Sequence, residues 1–233
     1  MADNLLYLDL LKKVLTDRIH NDKPARLDGQ DWPANGFTMI GQQRLDNLQY
    51  CAEAVLNEDV PGDFLEAGVW KGGAAILLRA VLKAHNCSSR QVWLADSFQG
   101  LPPPKPQWKE DEGDTLHQFT ELAISLDQVK ENFRVLGLLD NQVQFIPGWF
   151  HETLKNAPVE KISLLRLDGD MYESTYVTLE ALYDKVSVGG IIIVDDYGYL
   201  ESCKKAVHDF LDERNLAPDI QKIDWTGVFW RKA

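Results

Sequence analysis

The sequence predicts an α/β fold: a doubly wound, mostly parallel seven-stranded sheet with an antiparallel strand near its C-terminal end, preceded by N-terminal helices. Three observations carry this. From residue 63 to 214, short apolar runs alternate with stretches of helical period, the pattern of strand–helix–strand units and a parallel sheet. Two runs, 162–167 and 191–194, are dominated by Leu, Ile and Val, as strands covered on both faces are. The last two runs, 220–224 and 228–231, are joined only by Trp225-Thr226-Gly227. That connection is too short for a crossover, so one of the pair runs antiparallel.

Taken in order, residues 5–19 place Leu6, Leu10, Val14 and Ile19 at helical spacing, which predicts an amphipathic helix packed on the core or on another subunit. Residues 20–37, rich in Pro, Gly, Asp and Asn, read as a connecting loop. A helix is predicted over 42–56, stopped by Pro61-Gly62. Strand 63–68, helix 74–84 and strand 91–96 follow. The segment 99–120 carries Pro, Gly and charge without a period. It is too long for a passive turn, and reads as a lid over a reactive centre or as a disordered surface loop. Helix 126–136, strand 143–146, strand 162–167, helix 174–183, strand 191–194 and helix 203–214 lead to the closing pair. At 233 residues the chain suits one domain: residues 1–60 as a helical cap and 61–233 as the sheet core.

Composition narrows the function classes. With 36 acidic against 24 basic residues, the net charge is -12, which disfavours a nucleic-acid partner in the absence of any basic run. The N-terminus lacks a basic leader, and no apolar stretch approaches the ~20 residues of a membrane span. The three cysteines, Cys51, Cys87 and Cys203, have no metal-ligand or redox spacing. Reduced thiols in a cytoplasmic protein are the expectation.

The chemistry lies at the predicted strand ends. The first strand runs into Glu66-Ala67-Gly68-Val69-Trp70-Lys71-Gly72-Gly73, a glycine turn that lets a ligand approach the backbone. A dinucleotide turn has G-x-G-x-x-G. Here the spacing differs, and an acid two residues before the first glycine would repel pyrophosphate and attract a cationic amino group. That favours S-adenosylmethionine over a nicotinamide cofactor. The second strand ends at Asp96, placed to accept a ribose diol or to cap the next segment, with Ser97 and Phe98 beside it. The runs ending in Asp168-Gly169-Asp170 and Asp195-Asp196 bring carboxylates to two strand tips. If these strands are neighbours, Asp168, Asp195 and Asp196 share one rim, where a hard cation such as Mg²⁺ would relieve their repulsion. Asp170 ranks below these three. Taken singly, each is equally well read as a helix cap.

These segments resemble the macrocin O-methyltransferase family. The matching stretches are Thr38-Met39-Ile40-Gly41, Arg44-Leu45-Asp46-Asn47-Leu48, the turn at 66–73, Ala95-Asp96-Ser97-Phe98-Gln99-Gly100-Leu101-Pro102, Pro147-Gly148-Trp149-Phe150, Leu167-Asp168-Gly169-Asp170-Met171-Tyr172-Glu173-Ser174-Thr175 and Val194-Asp195-Asp196-Tyr197. The resemblance implies a Rossmann-like class I methyltransferase that methylates sugar hydroxyls of natural products. It implies Mg²⁺ on Asp168, Asp195 and Asp196, with Asp168 also the general base. S-adenosylmethionine would lie between the first two strand ends, against Glu66, Gly68, Trp70, Asp96, Ser97 and Phe98. Thr38 and Met39 would close over its methionine end, and Gly148 and Trp149 would sit near the adenine. The partner implied is a glycosylated or polyol small molecule, and the assembly a homodimer or tetramer. A catechol acceptor is the nearest alternative. A metal-dependent hydrolase leaves the Glu66 and Asp96 motifs unexplained, and a dehydrogenase leaves Asp195-Asp196 unexplained. His117, in the lid segment, is an alternative base.

Overall fold

The computed structural model describes residues 2–233, with side chains from residue 5 onward. In chain order the elements are α1 (Ala2–Leu15), α2 (Pro24–Asp28), α3 (Gln42–Asn57), β1 (Asp63–Ala67), α4 (Gly73–Ala84), β2 (Val92–Asp96), α5 (Leu126–Val135), β3 (Val143–Pro147), α6 (Phe150–Thr153), β4 (Ile162–Leu167), α7 (Tyr172–Leu182), β5 (Val186–Val194), α8 (Glu201–Glu213), β6 (Gln221–Lys222) and β7 (Val228–Arg231). Seven strands form one sheet in the order β3-β2-β1-β4-β5-β7-β6. β7 runs antiparallel to both β5 and β6, and the other pairs are parallel. The strand order reverses at β1, so the crevice beyond the carboxyl ends of β1, β2 and β4 is where a ligand is expected in such a sheet.

Two apolar layers sandwich the sheet. On one face Leu8, Leu11 and Leu15 of α1 and Leu45 and Leu48 of α3 pack with Leu77, Leu78 and Val81 of α4 and Phe133 of α5. On the other, Leu179 and Leu182 of α7 and Val207, Phe210 and Leu211 of α8 pack against Leu165, Leu167 and Ile192 of the sheet. The alternation along β4 and β5 explains the layers: neighbouring residues point to opposite faces, so the apolar residues of these strands feed both.

Several expectations are corrected. The packing stripe of α1 is Leu8, Leu11 and Leu15, whereas Leu6, Leu10 and Ile19 are at least half exposed, and the helix ends at Leu15 rather than Ile19. The loop at 20–37 contains α2, with Pro24 in its first turn and Gly29 closing it in the left-handed region. β5 begins five residues early, at Val186, through Gly189-Gly190. The lid segment is ordered in short 3-10 turns at Lys109–Asp111, Leu116–Gln118 and Thr120–Leu122. Its anchor is Asp111, which is buried and accepts the backbone N–H groups of Tyr172 and Glu173 at 2.7 and 2.9 Å. A carboxylate from one segment thus caps the N-terminus of α7 from another, as a local N-cap residue would.

Candidate active site

A cavity of about 370 Å³ opens at the carboxyl ends of β1, β2, β4 and β5. Gly68, Val69 and Trp70 form one wall, Asp96 and Ser97 the next, and Asp168, Asp170, Asp195 and Asp196 lie at the other end. Trp32 and Met39 from the N-terminal cap, and Leu116, Phe119 and Leu122 from the lid, complete it. The cap and lid meet where Trp32 packs edge-on against Phe119, with ring centroids 6.1 Å apart. Trp70 ties the lid down by donating its indole N–H to the Glu121 carbonyl at 2.8 Å.

The β1 turn needs its glycine. Gly68 has φ +87°, and a Cβ there would lie 1.8 Å from the Asp168 carbonyl oxygen. The β1 and β4 tips can therefore approach only because that atom is missing. Asp96 accepts Val69 N–H on one carboxylate oxygen and Phe98 N–H on the other, each at 2.7 Å. A carboxylate oxygen carries more than one lone pair, so it can accept a further donor. Burial pushes the Asp96 carboxyl up, and the backbone N–H groups of Val69 and Phe98 work against it. The segment at 39–40 is held by Arg26, a fully buried side chain whose guanidinium donates to the carbonyls of Met39 (3.1 Å) and Ile40 (2.9 Å).

The three predicted metal carboxylates converge. One oxygen each from Asp168, Asp195 and Asp196 lies within 4.8 Å of the others. They sit around two buried arginines. Arg166 Nη1 donates to Glu66 Oε1 at 2.5 Å and to Asp168 Oδ2 at 2.8 Å, and its Nη2 donates to Asp195 Oδ1. Arg44 reaches from α3 to donate to Asp195 Oδ2. Burial pushes the Asp196 carboxyl well up, helped by the charges of Asp170, Asp168 and Asp195. Asp168 is raised by burial and partly held down by Arg166. Asp170 is pushed up to about 8, by burial and then by Asp168 and Asp195. Burial works against the charge of Arg166, but Asp168, Asp195 and Glu66 outweigh it and hold that guanidinium well above its usual value.

Nine of the residues singled out from the sequence line the cavity: Met39, Gly68, Trp70, Asp96, Ser97, Trp149, Asp168, Asp195 and Asp196. Asp170 lines it too, held at φ +60°, although it had ranked below the other acids. Four lie behind the wall. Glu66 is 1% exposed because Arg166 draws it inward, and its Oε2 is buried without a hydrogen-bond partner among the described residues. Thr38 is buried against Gly73. Phe98 turns its ring to Phe145, 6.3 Å away. Gly148 donates its N–H to the Asp96 carbonyl at 2.9 Å, bracing the wall from outside. His117 is off the wall and His151 is on it, beside Lys105 and Glu173. Arg26, Arg166 and Asp111 belong to no motif in the sequence, and Arg44, within the matching stretch at 44–48, has no role that its neighbours reveal; Arg44, Arg166 and Asp111 bond groups 29 or more residues away.

A family description, macrocin-O-methyltransferase (TylF), matches residues 12–232. The chain belongs to this family. It is 48% identical, over 97% of its length and 92% of the relative's, to the 8-demethyl-8-(2,3-dimethoxy-alpha-L-rhamnosyl)-tetracenomycin-C 4'-O-methyltransferase of Streptomyces olivaceus. It is 45% identical, over 99% and 95%, to the demethyldecarbamoylnovobiocin O-methyltransferase of Streptomyces niveus. Among solved structures it superposes on the O-methyltransferase NovP with a TM-score of 0.95, at 46% identity and 99% coverage of each chain. This macrocin O-methyltransferase family member is thus an enzyme, an S-adenosylmethionine-dependent O-methyltransferase of class I fold. No helix among its described residues is long and apolar enough to cross a membrane.

Proposed function

We propose that this enzyme methylates a sugar hydroxyl of a glycosylated natural product, with Mg²⁺ held by Asp168, Asp195 and Asp196. The observation that carries the reading is the convergence of those three carboxylates on the same cavity as the Gly68–Trp70 turn and Asp96. The donor set fits a hard dication: all ligand atoms are oxygen, and Asp196 Oδ2 is buried without a partner among the described residues. Arg44 and Arg166 bond Glu66, Asp168 and Asp195, and Asp170 and Asp196 add two further acids to the same end of the cavity, so acidic groups outnumber basic ones. The tetracenomycin relative, named for a rhamnosyl 4'-hydroxyl, supports a sugar acceptor.

When bound, S-adenosylmethionine supplies an electrophilic methyl on a sulfonium and the cation supplies a Lewis acid beside the acceptor oxygen. The chain's own task is alignment, because displacement at a methyl carbon requires the acceptor oxygen in line with the breaking carbon–sulfur bond. Asp96 offers its remaining lone pairs to a ribose diol, and the Gly68 turn admits the cofactor close to backbone. Met39, fixed through Arg26, closes over the methionine end. Leu116, Phe119 and Leu122 exclude water from above. Asp168, at the β4 tip on the cavity wall, would take the hydroxyl proton as the oxygen–methyl bond forms and the carbon–sulfur bond breaks.

Asp168→Asn and Asp196→Asn test this. Each should lower methyl transfer by at least about a hundredfold, with S-adenosylhomocysteine affinity held within about threefold. EDTA should reproduce the loss and Mg²⁺ reverse it. Full turnover in metal-free buffer would refute the assignment.

A further inference from the structure

Arg44 stands between two buried carboxylates on different elements. It donates through Nη1 to Asp195 Oδ2, and its Nε lies 3.0 Å from Asp224 Oδ2. The second contact is ionic without hydrogen-bond geometry: Arg44 Nε and Asp224 Oδ2 are both buried and lack a hydrogen-bond partner among the described residues. The side chains of Arg44, Asp195 and Asp224 are only 7%, 4% and 1% exposed. Asp224 is otherwise fixed, since its Oδ1 accepts the N–H groups of Thr226 and Gly227 at 3.0 and 2.8 Å.

The other guanidinium on Asp195 has no such freedom. Arg166 is bound at once to Glu66, Asp168 and Asp195, and moving it would break three ion pairs and strand the buried Glu66. Charge brought to Asp195 must therefore be accommodated by Arg44, which has an unsatisfied acceptor within reach. Resting on the metal assignment above, we propose that Arg44 and a divalent cation compete for Asp195, and that Asp224 is the acceptor that takes the guanidinium up. Arg44 is then a positioning residue that sets metal affinity.

The test is a double-mutant cycle read by calorimetry. Mg²⁺ is titrated into the full-length protein saturated with S-adenosylhomocysteine, as wild type, Asp224→Asn, Arg44→Gln and the double variant. Asparagine keeps the Oδ1 acceptor for the 226 and 227 amides but removes the charge that receives Arg44. Asp224→Asn is expected to weaken Mg²⁺ binding about tenfold, and Arg44→Gln to tighten it. In the Arg44→Gln background the Asp224→Asn effect should shrink below about twofold, a coupling of the size seen for groups in contact. Equal weakening in both backgrounds would mean that Asp224 acts through space, and an unchanged Asp224→Asn affinity would mean that it does not act; either overturns the competition while leaving the metal site standing. Absence of Mg²⁺ binding by wild type would overturn both. Folding is checked by S-adenosylhomocysteine affinity. If Arg44→Gln fails that check, Arg44→Lys completes the cycle; its single ammonium should leave a smaller Asp224→Asn effect than in wild type, and an equal effect counts against the proposal.

Discussion

Arg166→Met removes the hub of the carboxylate cluster while keeping an unbranched apolar stem. The Arg166 side chain is 2% exposed, and it bonds Glu66 on β1, Asp168 beyond β4 and Asp195 beyond β5. Without it, three carboxylates share Arg44 alone among the arginines of the cluster. Breaking a buried ion pair by deleting one partner costs about 3–5 kcal/mol, a large share of the roughly 5–15 kcal/mol that holds a domain folded. The net worth of the cluster is a separate quantity, because its desolvation opposes its attraction; only the broken state is uncompensated. Neutralising one of the stranded acids should therefore return part of the loss. Arg166→Met combined with Glu66→Gln is expected to be about 1–2 kcal/mol more stable than the sum of the single changes. Equilibrium urea unfolding at about pH 9 in EDTA, above the Glu66 value of about 8 so that its carboxyl is charged in the native wild type, followed by circular dichroism, measures all four forms. A loss below about 1 kcal/mol for Arg166→Met, or strict additivity with Glu66→Gln, would refute the reading of Arg166 as a buried counter-ion for three acids.

Other expectations follow from single contacts. Glu66 is pushed up to about 8, by burial and then by Asp168 and Asp195, against the pull of Arg166. Its folded value lies above its unfolded one, so between roughly pH 4.5 and pH 8 the native state holds more protons and stability falls as pH rises, by at most about 1.4 kcal/mol per pH unit. Glu66→Gln should flatten that slope in EDTA, and an unaltered slope would show that Glu66 does not carry the linkage. Asp111→Ala removes the acceptor for two α7 amides and the anchor of the lid, costing about 1–2 kcal/mol; limited proteolysis should then cut within residues 105–122 faster, and unchanged cleavage would argue against the anchor. Gly68→Ala places a methyl 1.8 Å from a backbone oxygen and should cost at least about 3 kcal/mol with loss of cofactor binding, whereas Gly113→Ala, with nothing within 4 Å, should cost only the roughly 1–2 kcal/mol of its left-handed backbone. Similar unfolding midpoints for the two would contradict the close approach of β1 and β4.

The sheet was legible because its strands speak locally. The run at Ile162–Leu167 is apolar enough to be a covered strand wherever its neighbours lie, and the short 225–227 connection allows only one relative direction for the closing pair. The acids at the strand tips were legible for the same reason, as each interrupts an apolar run at its carboxyl end. What could not be read depended on distant partners. In α1, Leu5, Leu6, Leu8, Leu10, Leu11, Val14 and Leu15 leave several stripes open, and only α4 selects Leu8, Leu11 and Leu15. The lid carries no period because its order comes from Asp111, whose partners lie about sixty residues on. Arg166 sits in an apolar strand and Arg44 on a mixed helical stretch, and their charge has meaning only once β1, β4 and β5 are side by side. Gly189-Gly190 reads as a turn in isolation, yet Val186 pairs with Ile162 of β4 and the Gly189 N–H donates to the Lys232 carbonyl at 2.8 Å, so the strand continues on both sides of the glycines.

The most direct test of the cation site is anomalous diffraction from crystals grown with S-adenosylhomocysteine and Mn²⁺. The account predicts one strong peak on the cavity wall, about 2.2 Å from oxygens of Asp168, Asp195 and Asp196, beside the bound nucleoside. A map with S-adenosylhomocysteine in place and no manganese within coordination reach of those three carboxylates would contradict it.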